Sequence, residues 1–232
     1  MTTGADNSWY LLRSGAGGAA HNMAFDEALL ESVAAIGRPV LRFYGWTEPA
    51  ATFGYFQKYA DIAQWTLLRP LIRRPTGGGL VPHDADWTYS LAFSPLAPWY
   101  ALSAVESYRR IHEWIQTAFA KMGIATTLAP CCRKALPGQC FAGHEKFDVL
   151  WHDRKIAGAA QRRNRHGLLI QGSVQPPPVK ILRADWEDIM SAVGESYLGV
   201  KRELFTPETG LINRVSELTA KTYSQVAYNQ RR

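Results

Sequence analysis

The sequence predicts an α+β fold: a mixed, mainly antiparallel sheet flanked by helices, in a single domain. Three observations predict it. Strand-like and helix-like segments follow one another in mixed order, without a regular strand–helix–strand alternation. Several strands are joined by turns short enough for hairpins, such as Asp153-Arg154. Two long stretches, 22–36 and 103–122, carry an apolar stripe at helical spacing.

The elements follow in order. Trp9 to Arg13 reads as a strand. A helix runs from Asn22 to Ile36, with Phe25, Leu29, Val33 and Ile36 on one face, and Gly37 with Pro39 stops it. Val40 to Tyr44 and Ala51 to Phe56 are short strands around a turn at Pro49. Leu71 to Arg74 is a strand leading into the glycine turn Thr76-Gly77-Gly78-Gly79. Trp87 to Phe93 alternates and forms another strand. Ser103, with Glu106 three residues later, opens the clearest helix. Its stripe is Val105, Tyr108, Ile111, Ile115, Phe119 and Met122, and Gly123 ends it. Ile124 to Leu128 is a strand. Ala129 to Gly143 is irregular, which puts Cys140 on a loop. Phe147 to His152, Lys155 to Arg162 and Leu168 to Val174 form a three-stranded meander. Pro176-Pro177-Pro178 breaks from it, and helices follow near Asp185 to Val193 and Val215 to Tyr228. The single domain spans 1–232, with 175–232 as a helical extension packed on it.

Composition narrows the function. With 47% of its 232 residues apolar and 20% charged, the chain reads as globular rather than disordered. No run approaches the roughly 18 apolar residues of a membrane span. The start, MTTGADNSWY, has neither the basic nor the apolar part of a signal peptide, so a cytoplasmic location is expected, with no membrane partner. Free thiols are expected for Cys131, Cys132 and Cys140. Their spacing with His144 lacks a paired knuckle, so no metal is expected. The net charge is +6, and basic residues crowd at Arg133, Lys134, Lys146, Arg154, Lys155, Arg162, Arg163 and Arg165. This is either a solvated edge or a docking surface for acidic partners. No nucleic-acid-binding signature is present, so no nucleic acid is expected.

Cys140 and Lys155 stand fifteen residues apart in CFAGHEKFDVLWHDRKIAGAAQRR. A thiol attacks only as the thiolate, and a nearby ammonium favours that form. Taken alone, Cys140 also reads as a small buried hydrophobe, and Lys155 as a solvated turn residue. Small residues at Gly158, Ala159 and Ala160 leave room for a ligand against the backbone. The glycine turn is either a tight turn or a place where backbone N–H groups meet a carbonyl or phosphate. His83 reads equally as a pocket residue or a structural one. His112 reads as structural, and His144 stands close enough in sequence to assist Cys140. Asp26 and Glu27 are helix neighbours that do not face each other, so a paired acid/base role is not expected.

These segments resemble the biotin/lipoate protein ligase and lipoyl(octanoyl) transferase superfamily. They are AHNMAFDEALLESV, VLRFYGW, TFGYFQ, RRPTGGGLVPHDADWTYSL, SAVESYRRIHEWI and the stretch from Cys140 to Val174. The closer resemblance is to its cysteine-dependent octanoyltransferases, through the Cys140-to-Lys155 spacing. It implies that Cys140 carries an octanoyl or lipoyl group as a thioester and that Lys155 stands beside the thiol. It implies a substrate pocket at Arg74, Gly77, Gly78, Gly79, Leu80, Val81 and His83, completed by Gly158, Ala159 and Ala160. The implied partners are acyl carrier protein as donor and lipoyl-domain proteins as acceptors, with no cofactor. Gly79 stands where such transferases often carry arginine, and Ala159 where serine is common. The TGGG run is shared with ATP-dependent lipoate–protein ligases, so ligation through lipoyl-AMP, with ATP and Mg, is the alternative. The residues after Val174 are fewer than a ligase's accessory domain.

Overall fold

The computed structural model describes residues 8–133, 143–199 and 201–231. Strand β1 (Ser8–Gly17) leads through Gly18 into helix α1 (Ala19–Ile36). Gly37, at φ 79°, caps α1 by donating its N–H to the Val33 carbonyl. Strands β2 (Val40–Trp46) and β3 (Ala50–Phe53) follow. The short helix α2 (Tyr59–Ala63) and strands β4 (Leu71–Arg73) and β5 (Val81–His83) surround the glycine turn. Then come β6 (Trp87–Phe93), the short α3 (Pro98–Ala101) and α4 (Ala104–Lys121). The Ser103 hydroxyl accepts from the Glu106 N–H at 3.1 Å, the expected N-cap. A two-residue β7 (Thr127–Leu128) precedes the hairpin strands β8 (Val149–Trp151), β9 (Arg154–Asn164) and β10 (Gly167–Val174). The chain continues through α5 (Arg183–Leu198), β11 (Lys201–Leu204), α6 (Thr209–Leu218), a π-helical turn over Thr219–Tyr223 and α7 (Val226–Asn229).

The main sheet has the order β11-β1-β2-β6-β10-β9-β8-β7. Its β1 pairs are parallel and the rest antiparallel, as the hairpins predict. Alternation assigns its two faces. Leu11, Leu41 and Phe43 pack with Ile111, Trp114 and Phe119 of α4 and Trp186 and Met190 of α5. Leu12, Val40 and Tyr44 point the other way, onto Met23, Phe25, Leu29 and Val33 of α1 and Leu211 and Val215 of α6. A second sheet, β4-β3-β5, covers Ile62 and Leu80. The result is a sheet buried between two helical layers, with the small sheet set against it at the glycine turn.

Three sequence expectations are corrected, and one strand is added that the sequence does not announce. The strand expected from Ile124 shrinks to β7. Gly123 takes φ 76° and the Ile124 N–H bonds the Phe119 carbonyl, so Ile124 finishes the helix cap instead of pairing. The strand expected to reach Phe56 stops at Phe53, because Gly54 runs against the glycine turn. A Cβ on Gly54 would lie 1.9 Å from the Gly78 carbonyl oxygen. The last helix divides into α6, the π turn and α7. There the Ser224 N–H bonds the Thr219 carbonyl, and Tyr223 reaches Glu27 of α1 with its hydroxyl at 2.6 Å. Edge strand β11 has no apolar alternation to announce it. Its charged Lys201, Arg202 and Glu203 suit an exposed edge.

Candidate active site

A cavity of about 440 Å³ opens between the small sheet and strands β9 and β10. That is within the ~300–1,000 Å³ of small-molecule sites. It brings together most of the residues singled out in the sequence: Arg74, Gly78, Gly79, Leu80, Val81 and His83 on one side, and Lys155, Gly158, Ala159 and Ala160 on the other. Gly77 is not in the lining. Its carbonyl accepts from Arg74 Nε at 3.1 Å and so helps hold the turn. Cys140 and Lys134 lie outside the described residues. Gly143, three residues after Cys140, lines the cavity, as do His144, Glu145 and Arg133. Arg133 and His144 exchange backbone hydrogen bonds at 2.8 and 3.0 Å. Cys131 and Cys132 are exposed free thiols.

The glycine turn is fixed from behind. Arg74 is buried and reaches Thr76 Oγ1 at 3.2 Å and the Thr52 carbonyl at 3.3 Å. The φ of 84° at Gly78 suits glycine, and a Cβ there would lie 2.8 Å from Arg74 Nη2. Thr76 Oγ1 donates to Gln171 Oε1 at 2.8 Å, and Gln171 Nε2 donates to Asp26 Oδ2 at 2.7 Å. Asp26 also accepts from Arg42 at 2.7 Å, Tyr44 at 2.9 Å and Ser90 at 2.6 Å. Burial, reinforced by the Asp26 charge, pushes the Tyr44 hydroxyl far above the usual tyrosine pKa, so it stays a donor.

Asp26 is a network hub that periodicity does not reveal. The available signal is Asn22 and Asp26, one helical turn apart in a helix otherwise rich in apolar residues. His83 is also committed. Its Nδ1 donates to Asp86 at 2.9 Å, its Nε2 meets Thr52 Oγ1 at 2.8 Å, and Trp46 stacks on the ring at 3.8 Å. Asp86 accepts further from Ser173 at 2.7 Å and Thr88 at 3.1 Å. His83 therefore lines the cavity and also ties β3 to β5.

The opposite wall carries Lys155. Its ammonium lies 2.7 Å from Asp148 Oδ2, and Asp148 is fully buried while Lys155 is 15% exposed. Asp148 also accepts from the Glu145 N–H at 2.7 Å and from the Tyr108 hydroxyl. The lysine stem lies over Gly158, where an added Cβ would stand 2.6 Å from Cε and 2.7 Å from Nζ. Gly158 is thus the residue that admits this approach. The sequence motifs do not single out Asp148. Its signal is an acidic residue in the apolar run FDVLW, facing a lysine across a hairpin. His112 stands behind this pair, buried in α4. Its Nδ1 donates to the Tyr108 carbonyl at 2.7 Å, and burial lowers its pKa to about 4.

Residues 18–175 match the model of the lipoyl protein ligase A/B catalytic domain. The chain belongs to that family. Members named octanoyltransferase LipM include one from Kyrpidia tusciae, 36% identical over 180 residues, which are 72% of this chain and 65% of that protein. Another, from Geobacillus kaustophilus, is 32% identical over 94% of this chain and 81% of its own length. The first of these alignments spans just under two thirds of the relative. Among solved structures, protein Ta0514 from T. acidophilum superposes with a TM-score of 0.83 at 20% identity, covering 97% of this chain and all of that one. A lipoate-protein ligase A bound with ATP gives 0.80 at 20% identity, over 96% of this chain and 98% of its own. These likenesses establish the α+β family fold. Among the described residues, no group of three or more His, Cys, Asp or Glu is placed to hold a metal. No helix among them is long and apolar enough to cross a membrane.

Proposed function

We propose that this protein is an octanoyltransferase that passes an acyl group through Cys140 to a lysine of a lipoyl domain. The observation that carries the reading is Lys155. Its ammonium is pinned on the wall of a cavity bordered by Gly143, the described residue nearest Cys140 on its C-terminal side. The LipM relatives support the choice of octanoyl chemistry. Met23, Leu80, Val81, Ala159 and Ala160 give the cavity an apolar lining suited to an alkyl chain.

The Cys140 thiolate attacks the thioester carbonyl of octanoyl-acyl carrier protein. The tetrahedral intermediate collapses, the carrier thiolate leaves, and it takes a proton from Lys155 or water. The neutral ε-amine of the lipoyl lysine then attacks the Cys140 thioester. An amide forms, Cys140 leaves as the thiolate, and the amine's proton passes to the group that gave one up before, Lys155 or water. No ATP enters, because the donor thioester is already activated. The exposed Arg133, Lys146, Arg154, Arg163 and Arg165 offer a basic surface to acidic carriers. Arg162 is less available, since it pairs with Glu27 at 3.0 Å.

Mass spectrometry of the chain incubated with octanoyl-acyl carrier protein and no ATP tests the reading. An octanoyl adduct on Cys140, lost in Cys140→Ala and kept in Cys131→Ala and Cys132→Ala, is expected. Full transfer by Cys140→Ala, or transfer only with ATP and free acid, would replace it with acyl-adenylate ligation.

A further inference from the structure

We propose that Asp148 is the positioning residue for Lys155 and that Tyr108 braces it, making the lysine a fixed rather than a mobile cation. The proposal rests on the transfer reading above and deepens it. A fully buried carboxylate is costly unless each oxygen finds donors. Asp148 finds three: the Lys155 ammonium and the Glu145 N–H at Oδ2, and the Tyr108 hydroxyl at Oδ1. Val149, Ile156 and Ala157 around it are apolar core. A packing role alone would be served by an apolar side chain there. The charge has a use because its cation sits on the cavity wall.

Lysine is a poor fixed point by itself, since its four-carbon stem has many rotamers. Two features remove that freedom. Gly158 leaves a slot for the stem, and Asp148 holds the end of it. Tyr108 comes from a third element, α4, and is itself in the cavity lining. Its oxygen lies 3.5 Å from the Ala159 N–H, so one hydroxyl connects the carboxylate to the strand that carries Lys155 and Gly158. Burial first, and the Asp148 charge second, hold the Tyr108 pKa well above its ordinary value, so it remains a donor. His112 and Tyr89 are the other titratable groups that feel Asp148, and both are buried. A reacting carbonyl entering the cavity then meets an ammonium whose place is set in advance.

The test is site-resolved labelling of the whole chain with an amine-acetylating reagent, alongside octanoyl transfer. A lysine held by a carboxylate in a narrow slot is out of the reagent's reach. In Asp148→Asn, Lys155 should label at least tenfold faster than in wild type, while the exposed Lys58 and Lys121 keep their rates. Transfer should fall about tenfold or more. Tyr108→Phe keeps the ion pair and nearly all the volume, so it covers the case in which the first variant does not fold. It should shift Lys155 labelling about threefold in the same direction. Unchanged labelling of Lys155 in both variants, or a parallel rise at Lys58 and Lys121, would overturn the proposal. Wild-type chain that transfers nothing without ATP counts against the function proposed above, and the labelling ratios still decide for or against Asp148.

Discussion

Two buried ion pairs are tied to the lining of the same cavity, one through Tyr44 and Gln171 and the other through Lys155 itself, and they are built differently. Asp26 and Arg42 are 0% and 1% exposed, and each is surrounded by further partners. Arg42 reaches Ser14 at 2.8 Å and Asn22 Oδ1 at 3.0 Å, and its guanidinium lies over the rings of Phe25 and Tyr44. Asp148 is equally buried, but its partner Lys155 faces the cavity. In the first pair both charges are consumed by the fold. In the second the anion belongs to the fold and the cation to the cavity. A satisfied pair on rigid elements is architecture, whereas a pair with one partner on a cavity wall is a way to place a charge.

The largest effect should come from breaking the first pair. Arg42→Ala leaves the Asp26 charge buried without its cation, at a cost of about 3–5 kcal/mol. For a chain of this size that lowers Tm by roughly 10 °C. Thermal unfolding checks it, and a loss below about 1 kcal/mol would mean that the pair is not structural.

Acid should act on the second region through His112. Burial lowers its pKa to about 4, against 6.5 when unfolded. The unfolded chain therefore binds the proton at higher pH than the folded one. Stability from this group is whole above about pH 6.5 and is lost as pH falls towards 4, by about 3 kcal/mol across the window. Urea midpoints at pH 7 and pH 5 should separate more in wild type than in His112→Gln. Equal separations would remove His112 from the acid response.

Lys155→Ala should be the mirror of Arg42→Ala. Transfer should drop about a hundredfold, the usual scale for a lost proton-transfer group. Stability should fall less than in Arg42→Ala, because Asp148 keeps the Tyr108 and Glu145 donors and gains access to cavity water. A variant that unfolds like Arg42→Ala while the folded remainder works normally would erase the contrast between the two pairs.

Gly158→Ala gives the smallest and sharpest test. The added methyl would collide with Cε and Nζ of Lys155, the movable end of a side chain, so the fold should survive. The lysine would be displaced from Asp148, and transfer should fall about tenfold with Tm lowered no more than in Lys155→Ala. Normal turnover in Gly158→Ala would show that the position of the ammonium over this residue is unimportant.

Much of the fold was legible because its cues are local. The stripe of 103–122, apart from the exposed Val105, and its Ser103 cap, the turn at Asp153-Arg154 and the Gly37 stop are decided within a few residues of chain. Most of the cavity wall, Arg74, Gly78 to Val81 and His83 with Lys155 and Gly158 to Ala160, was legible through motif resemblance, because it comes from two short stretches of chain, and Gly77 is the exception. The errors have a common form. Ile124 had strand composition, but Gly123 bent it into a helix cap. The network role of Asp26 was not legible, because its partners Arg42, Ser90 and Gln171 come from three strands distant in sequence.

The sequence by itself determined the α+β class, the order of most elements, the glycine turn and the expectation of a cysteine–lysine chemistry. Tertiary structure decided which charges are buried and what neutralises them. It set Asp26 against Arg42 and Asp148 against Lys155. It tied β4 to the C-terminal α7, where Asn229 Oδ1 takes the Arg73 N–H at 2.8 Å across 156 residues. It added β11 to the edge of the sheet. The physical reason is that periodicity follows from the repeat of one element, whereas the cost of a buried polar group depends on donors and acceptors brought from elsewhere.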